Sequence, residues 1–518
     1  MSSPREDAAP PGDPATASGE HRGLRQPPAQ FAALAIPGVL GAWLVLSSGF
    51  DLVPSASVFN GKRLVQVALL PLLFALALAG PLAAPLRARL GHFRGPGGII
   101  LAALFGWGMV SAARFAFPGY PHAEIALLGC LLLALPLVAA ARDSGPARFD
   151  RLALGALLAL TLVVSLQEAM GLLASNMHGV EFSYQKMLLR FAHPRFFNQL
   201  QTWSLPLLAA APFVFGNSRK TRALAVAALG LQWCLLLMTG ARGSVVALIS
   251  SLALVALLAR HSRRAWLPLH GLGLLAGAAL YALVLAGHAQ PGAQNGAQNG
   301  GSDLLRESIG RPMLHTTGRT HLWRYARADI EAEPWLGVGP ALYSCNNPVQ
   351  LPAHPHNLPL QVAAEWGLPA LGLLAALGGV LGWYLLRGLR RQPAGAPNAQ
   401  VLPNLLAASL LAAAVHSGVS GLLVMPASQM MAVLVGGWAL GALALPSRPY
   451  GIAAARAWCL AGLLMAGGLA VWTLTEWRGL DARSAELRQM AQGNPRFWQY
   501  GNVCLYVDAE ALRGAPGD

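Results

Sequence analysis

The chain has 518 residues, 55% of them hydrophobic and only 11% charged, and a formal net charge of +15. A soluble globular protein carries about 25% charged residues, so a water-soluble fold is excluded. Continuous apolar runs of about 20 residues also exclude a membrane barrel, whose strands alternate. The basic balance does not point to nucleic acid, because the arginines sit in short clusters between apolar runs, where they report topology.

The expected fold is therefore an all-α polytopic membrane protein, with about 12–13 transmembrane helices and one long periplasmic loop. Residues 1–30, rich in Pro, Ala and Gly, read as a disordered cytoplasmic tail. They are too polar for a cleaved signal peptide. Spans follow at about 31–50, 64–83, 97–117, 122–141, 151–174, 197–216, 223–240, 243–259 and 265–287, an N-terminal bundle over 31–287. The long loop covers 288–357. C-terminal spans at about 358–386, 402–421, 425–445 and 452–474 come next, and a tail over 475–518 ends the chain.

Basic residues set the orientation. With the N-terminus cytoplasmic, nineteen Lys and Arg residues lie on the cytoplasmic side against seven in the short outer loops. That places the long loop and the C-terminal tail outside, which in a bacterium means the periplasm and makes the membrane the inner one. Arginines kept on the outer side against this rule need another reason. They are Arg190, Arg195 and Arg242, joined by Arg319, Arg324 and Arg327 of the long loop.

Between spans five and six, EFSYQKMLLRFA has the pattern of an amphipathic interfacial helix. HPRFFNQLQTW then enters span six with His193, Arg195, Asn198, Gln199 and Gln201. An interfacial anchor with snorkelling arginines is one reading. A polar pocket at the outer leaflet is the other, since polar groups inside a bundle are costly and mark substrate paths. MTGARGSVVAL leaves almost no loop between spans seven and eight, so Arg242 sits at the tip of a tight hairpin, where it reads either as a simple interfacial arginine or as an anion site at a helix N-terminus.

The long loop starts as a GAQN-repeat tether. Residues 318–333 then predict a helix with Leu322, Tyr325 and Ala326 on one face, stopped by Pro334. Its acidic residues Asp329, Glu331 and Glu333 read as a solvated face rather than a metal site. GVGP makes a glycine-rich turn without the context of a dinucleotide fingerprint. Cys130, Cys234 and Cys459 lie in apolar runs and read as small core residues. Pairing of Cys345 with Cys504 stays open.

The loop closes on HPHN. Asn357 can cap the following helix, and Gln361 and Glu365, four apart, share its face. His356 can then line a polar stripe with them, with His354 beside it. His-x-His is a weak metal signature here, and no metal is expected. Two readings then compete: an interfacial histidine pair with a structural role, or a histidine that takes a proton from a hydroxyl while arginines alongside hold a diphosphate.

These residues resemble the bacterial O-antigen ligase and polymerase superfamily. Its pattern is His, then Asn, Ser or Gln, nine residues, and Gly-x-x-Gly. Here His356-Asn357 is followed by LPLQVAAEW and Gly367-Leu-Pro-Ala370, with alanine for the last glycine. GRTHLW, WLGVGP and GARGS also look like the superfamily's outer-face segments, and the likeness covers roughly 150–445. It implies a metal-independent, inverting, GT-C-like glycosyltransferase without a cofactor. The donor would be a glycan on undecaprenyl diphosphate and, for a ligase, the acceptor a lipid A core sugar. His356 matches the essential histidine. Arg195, Arg242 and Arg319 match the donor-binding arginines by loop position, with Arg190 as a further candidate. Supporting roles fall to His354, Asn357, Gln361, Glu365, His193 and Gln199. A polymerase or a protein O-oligosaccharyltransferase would use the same donor. A transporter is the alternative of another class, but no clear internal repeat and no run of charges across the bilayer favours it.

Overall fold

The structure, a computed structural model, describes residues 27–54, 56–79, 82–178, 187–288, 319–346, 352–392, 395–442, 449–490 and 495–501. Among these residues there are seventeen α-helices and no strand. The chain is an all-α, multi-pass membrane protein. It opens with α1 (Pro27–Gly49) and α2 (Val58–Ala79). A short α3 (Ala83–Leu90) and a 3-10 turn then bend by 80° into α4 (Pro96–Ala112). α5 (Tyr120–Ser144) and α6 (Pro146–Met177) are long and apolar. α7 (Pro194–Leu208), α8 (Ala211–Phe215), α9 (Arg219–Met238), α10 (Arg242–Leu258) and α11 (Arg263–His288) complete the first part. In the long loop lies α12 (Arg319–Ala332). The remainder is α13 (Leu358–Trp366), α14 (Leu368–Arg390), α15 (Val401–Ser417), α16 (Pro426–Ala442) and α17 (Ile452–Met490).

Among the described residues, each expected span overlaps helix. Eight of the helices are long and apolar enough to cross a membrane, or nine counting the bent pair, and two shorter apolar helices cover Leu34–Gly49 and Arg242–Leu258. One core of Leu, Ala, Trp and Phe side chains runs through the bundle, with α1, α5, α7, α15 and α16 at its centre. At the end where α3, α5 and α6 meet, two of the arginines expected on the cytoplasmic side, Arg89 and Arg142, are paired. Arg89 grips Asp143 with two bonds, Arg142 grips Asp150 at 2.7 and 2.9 Å, and Trp438 donates to Asp150 at 2.7 Å.

Three expectations need correction. The span expected over 358–386 is broken at Gly367, whose φ is +86°. The glycine-rich WLGVGP turn packs into this break. A Cβ on Gly367 would stand 2.0 Å from the Trp335 carbonyl oxygen, and one on Gly337 2.3 Å from the Glu365 carbonyl carbon. The amides of Val338 and Gly339 satisfy the last carbonyls of α13 at Ala364 and Glu365, at 2.9 and 3.0 Å. Those carbonyls have no partner within their own helix. Gly367→Ala combines this clash with a left-handed backbone, whose strain alone costs roughly 1–3 kcal/mol. A clear drop in the thermal midpoint of the purified protein is expected, and an unchanged midpoint would show that the break yields easily.

Second, the piece expected as an interfacial helix is not one where it is described. Residues 181–186 lie outside the described residues. Leu188 and Ala192 are left-handed and bracket a single 3-10 turn. The turn is tied down by the Leu188 amide donating to Glu168 Oε1 at 2.9 Å. Third, the helix over the last expected span, 452–474, runs on without a break as α17 to Met490, and the tail then returns, with Phe497 and Trp498 each 1% exposed. The GAQN tether and Cys504 lie outside the described residues. Cys130, Cys234 and Cys459 are buried free thiols, as expected for core residues, and Cys345 is disulfide-bonded.

Candidate active site

The HPHN turn is built by its own side chains. His354 Nδ1 accepts the backbone N–H of His356 at 3.2 Å, and the two rings meet edge to face at 4.2 Å. His356 takes a left-handed φ of +52°, uncommon for a residue with a Cβ, so its surroundings must hold it there. Asn357 supplies the hold. Its Oδ1 caps α13 by accepting the Leu360 N–H at 2.9 Å, and its Nδ2 donates to the Gly418 carbonyl at 2.9 Å. HPR at the start of α7 repeats the device: His193 Nδ1 accepts the Arg195 N–H at 3.1 Å. Nδ1 accepts in both turns, so the proton of each neutral ring sits on Nε2.

α12 delivers Arg319. Trp323 Nε1 donates to the Pro355 carbonyl at 3.2 Å, and Tyr343 donates to the Leu322 carbonyl at 2.8 Å. Arg319 and Trp323 are four apart, so they share the helix face that meets the HPHN turn. The charged and titratable groups that bear on His356 are Arg319, Arg195 and His193. Burial first, and then these neighbours, push the His356 imidazole down to about 3. Burial and Arg195 push His193 down to about 4, and burial with Arg195 also lowers Arg319. His354, buried next to His356 and within reach of Arg496, sits well below its ordinary value. The site is therefore a neutral imidazole beside two guanidinium groups that repel each other. Among the described residues neither Arg195 nor Arg319 has an ion-pair partner, an arrangement that favours a bound anion.

Not every expected residue converges here. Arg190 lies apart: it pairs with Asp51 at the surface, and its carbonyl accepts from Lys62 Nζ at 2.5 Å. Glu365 does not share a stripe with His356, because it faces Arg496, with Nη2 to Oε2 at 2.6 Å. Gln361 is buried one turn into α13. Of the acidic residues expected to be solvated, Asp329 is buried. Glu331 pairs with Arg327 and Glu333 with Arg114 in the open. Arg242 begins α10, and its neighbour Gly243 packs on the ring of His416.

His416 is a residue that the sequence pattern did not single out. It sits in the last turn of α15, with Nδ1 2.8 Å from Thr202 Oγ1 and Nε2 3.4 Å from Ser244 Oγ. A buried polar ladder continues from it. Thr202 donates to the Asn198 carbonyl, Asn198 to Gln201, Gln201 to Gln232, and Gln232 to Thr161, at 2.8–2.9 Å throughout. The signal was present, since a histidine at the end of an apolar run is rare. The loop after α15 joins the parts. Gly418 receives Asn357, Ser420 receives Gln199 Nε2 at 3.1 Å, and a Cβ on Gly421 would stand 2.2 Å from His354 Cε1.

Residues 225–375 match the family model described as O-Antigen ligase. The matched stretch includes Arg242, α12 and the HPHN turn, and it supports the O-antigen ligase and polymerase superfamily. No curated protein matches the chain.

Proposed function

We propose that the protein is an O-antigen ligase. In this reading it moves a glycan from undecaprenyl diphosphate to a hydroxyl of a lipid A core sugar, at the periplasmic face and with inversion. A ligase or polymerase type of function has the support of the family match. The assignment of a donor diphosphate and a base is supported by one observation: burial and the charges of Arg319 and Arg195 hold the His356 imidazole below its ordinary value, and neither arginine has a carboxylate partner among the described residues. The lipid diphosphate is held by these guanidinium groups, whose planar forks fit phosphate oxygens and stay charged. Arg242, expected from its loop position to join this set, begins α10 beside Gly243 and His416, and its part in holding the diphosphate is carried by the resemblance alone.

The acceptor hydroxyl attacks the anomeric carbon from the face opposite the diphosphate. His356 accepts its proton as the new C–O bond forms. The bond from the anomeric carbon to the phosphate oxygen breaks, its electron pair stays on the diphosphate, and undecaprenyl diphosphate leaves. Fixed cations stabilise the charge as it grows, the service a divalent ion gives in other transferases.

Purified protein given undecaprenyl-diphosphate glycan and lipid A core, in EDTA, is expected to put glycan on the core. Elongation of a second repeat unit with no product on core would replace the ligase by the polymerase. Transfer to a Ser or Thr peptide would indicate a protein-glycosylating enzyme. Loss of transfer in EDTA, restored by a divalent ion, would overturn the metal-independent route.

A further inference from the structure

Beneath the HPHN turn lies a second cluster of buried charge, and the C-terminal tail builds it. Arg496 is 1% exposed. Its Nη2 meets Glu365 Oε2 at 2.6 Å and Glu124 Oε1 at 3.1 Å. Arg63 of α2, also 1% exposed, completes a set of two cations and two anions. Arg63 donates to the carbonyls of Phe497 at 3.0 Å, Arg496 at 3.2 Å and Val424 at 2.8 Å, and to Gln66 and Gln429, both at 2.6 Å. The Gln499 amide donates to Asn60 Oδ1 at 2.7 Å, and Ser344 donates to the Gly501 carbonyl at 3.2 Å. Phe497 packs edge-on to Trp472 and Tyr120.

This cluster holds the site from two sides. Through Glu365 it fixes α13, the helix whose cap is Asn357, the residue next to His356. Through Val424 it fixes the loop on which His354 rests at Gly421. The set balances only with the tail in place. Without Arg496, two buried carboxylates face a single guanidinium, and a buried charge without its partner is strongly unfavourable.

We propose that the C-terminal segment 495–501 is a working part of the outer-face site, with Arg496 as a positioning residue that sets His354 and His356 through Glu365. Arg496 touches no reacting atom in this scheme. It makes the rigid lower edge of the site, so its loss lets α13 and the HPHN turn drift. A misplacement of about 1 Å at a reacting group can cost about a hundredfold in rate.

The test compares full-length wild type with Arg496→Gln, Arg496→Lys and the double variant Arg496→Gln/Glu365→Gln. The double variant keeps one cation and one anion and so retains charge balance if the single variant fails to fold. Two readouts are needed: glycan-transfer kinetics, and amide hydrogen exchange over Leu358–Trp366. The kinetic arm rests on the proposed transfer reaction; the exchange arm does not. For folded Arg496→Gln, or the double variant in its place, kcat is expected to fall by about 10- to 100-fold. KM for the donor should change little, and exchange over α13 should be faster. Arg496→Lys is expected to recover part of kcat. Wild-type kcat, or wild-type exchange across α13 in a folded variant, overturns the positioning role. If wild type transfers no glycan, the proposed reaction fails, and exchange alone decides on Arg496.

Discussion

His356→Ala is expected to reduce glycan transfer by roughly 10²–10⁴-fold, the usual worth of a positioned general base. The protein should stay folded, since His354, Asn357 and Trp323 hold the turn through bonds that the His356 ring does not make. Full transfer by a folded His356→Ala protein would remove this residue from the reaction. The pH profile gives a second measure. A base must be neutral to act, and burial with Arg319, Arg195 and His193 pushes His356 from 6.5 to about 3. Its protonation is therefore postponed as pH falls. In the free enzyme, which kcat/KM reports, the acid limb is expected below pH 6.5. A bound diphosphate offsets the two arginines and favours the imidazolium. The acid limb of kcat should therefore lie at higher pH than that of kcat/KM. Coincident limbs would mean that no anion sits between His356 and these arginines.

Arg195→Gln and Arg319→Gln are each expected to lower transfer by roughly 10²–10³-fold, the scale for losing one fixed donor to developing negative charge. Lysine in either place should recover only part, because a point charge cannot hold two phosphate oxygens in one plane. Losses in the double variant should fall short of the product of the single losses, as for groups that act on one substrate charge. Each single variant also removes a cation beside His356, so the acid limb of kcat/KM should move up in pH. Arg190→Gln serves as the comparison. Its surface pair with Asp51 lies in the range of about 0–1 kcal/mol, and transfer should stay close to wild type. A large loss there with little at Arg195 would exchange their roles.

Helices and their order were legible from hydropathy, because a span is a property of neighbours along the chain. So was the cap at Asn357, since its oxygen reaches an amide only three residues on. The helix with Leu322 and Ala326 inward was equally open to view, for its face repeats every three or four residues. The likeness to a family drew attention to His356 for the same reason: its motif is a short string. The break at Gly367 was half visible, as a glycine followed two residues later by Pro369, but its cause is the Trp335–Gly339 turn arriving from elsewhere.

What hydropathy and motif could not reach are the pairings of distant groups. Glu365 shares a helix face with Gln361, yet its partner Arg496 is 131 residues away. Arg63 bonds a carbonyl 434 residues on, and His416 meets Thr202 across 214. Nothing local to Arg190 and Arg195 distinguishes the one that faces Asp51 from the one that acts on His356. Apolar length and helix caps depend on contacts within a turn or two of chain, so residue order is enough to specify them. The partner of a buried charge depends on which helices pack together, and a charge inside a bundle must find that partner wherever the chain brings it.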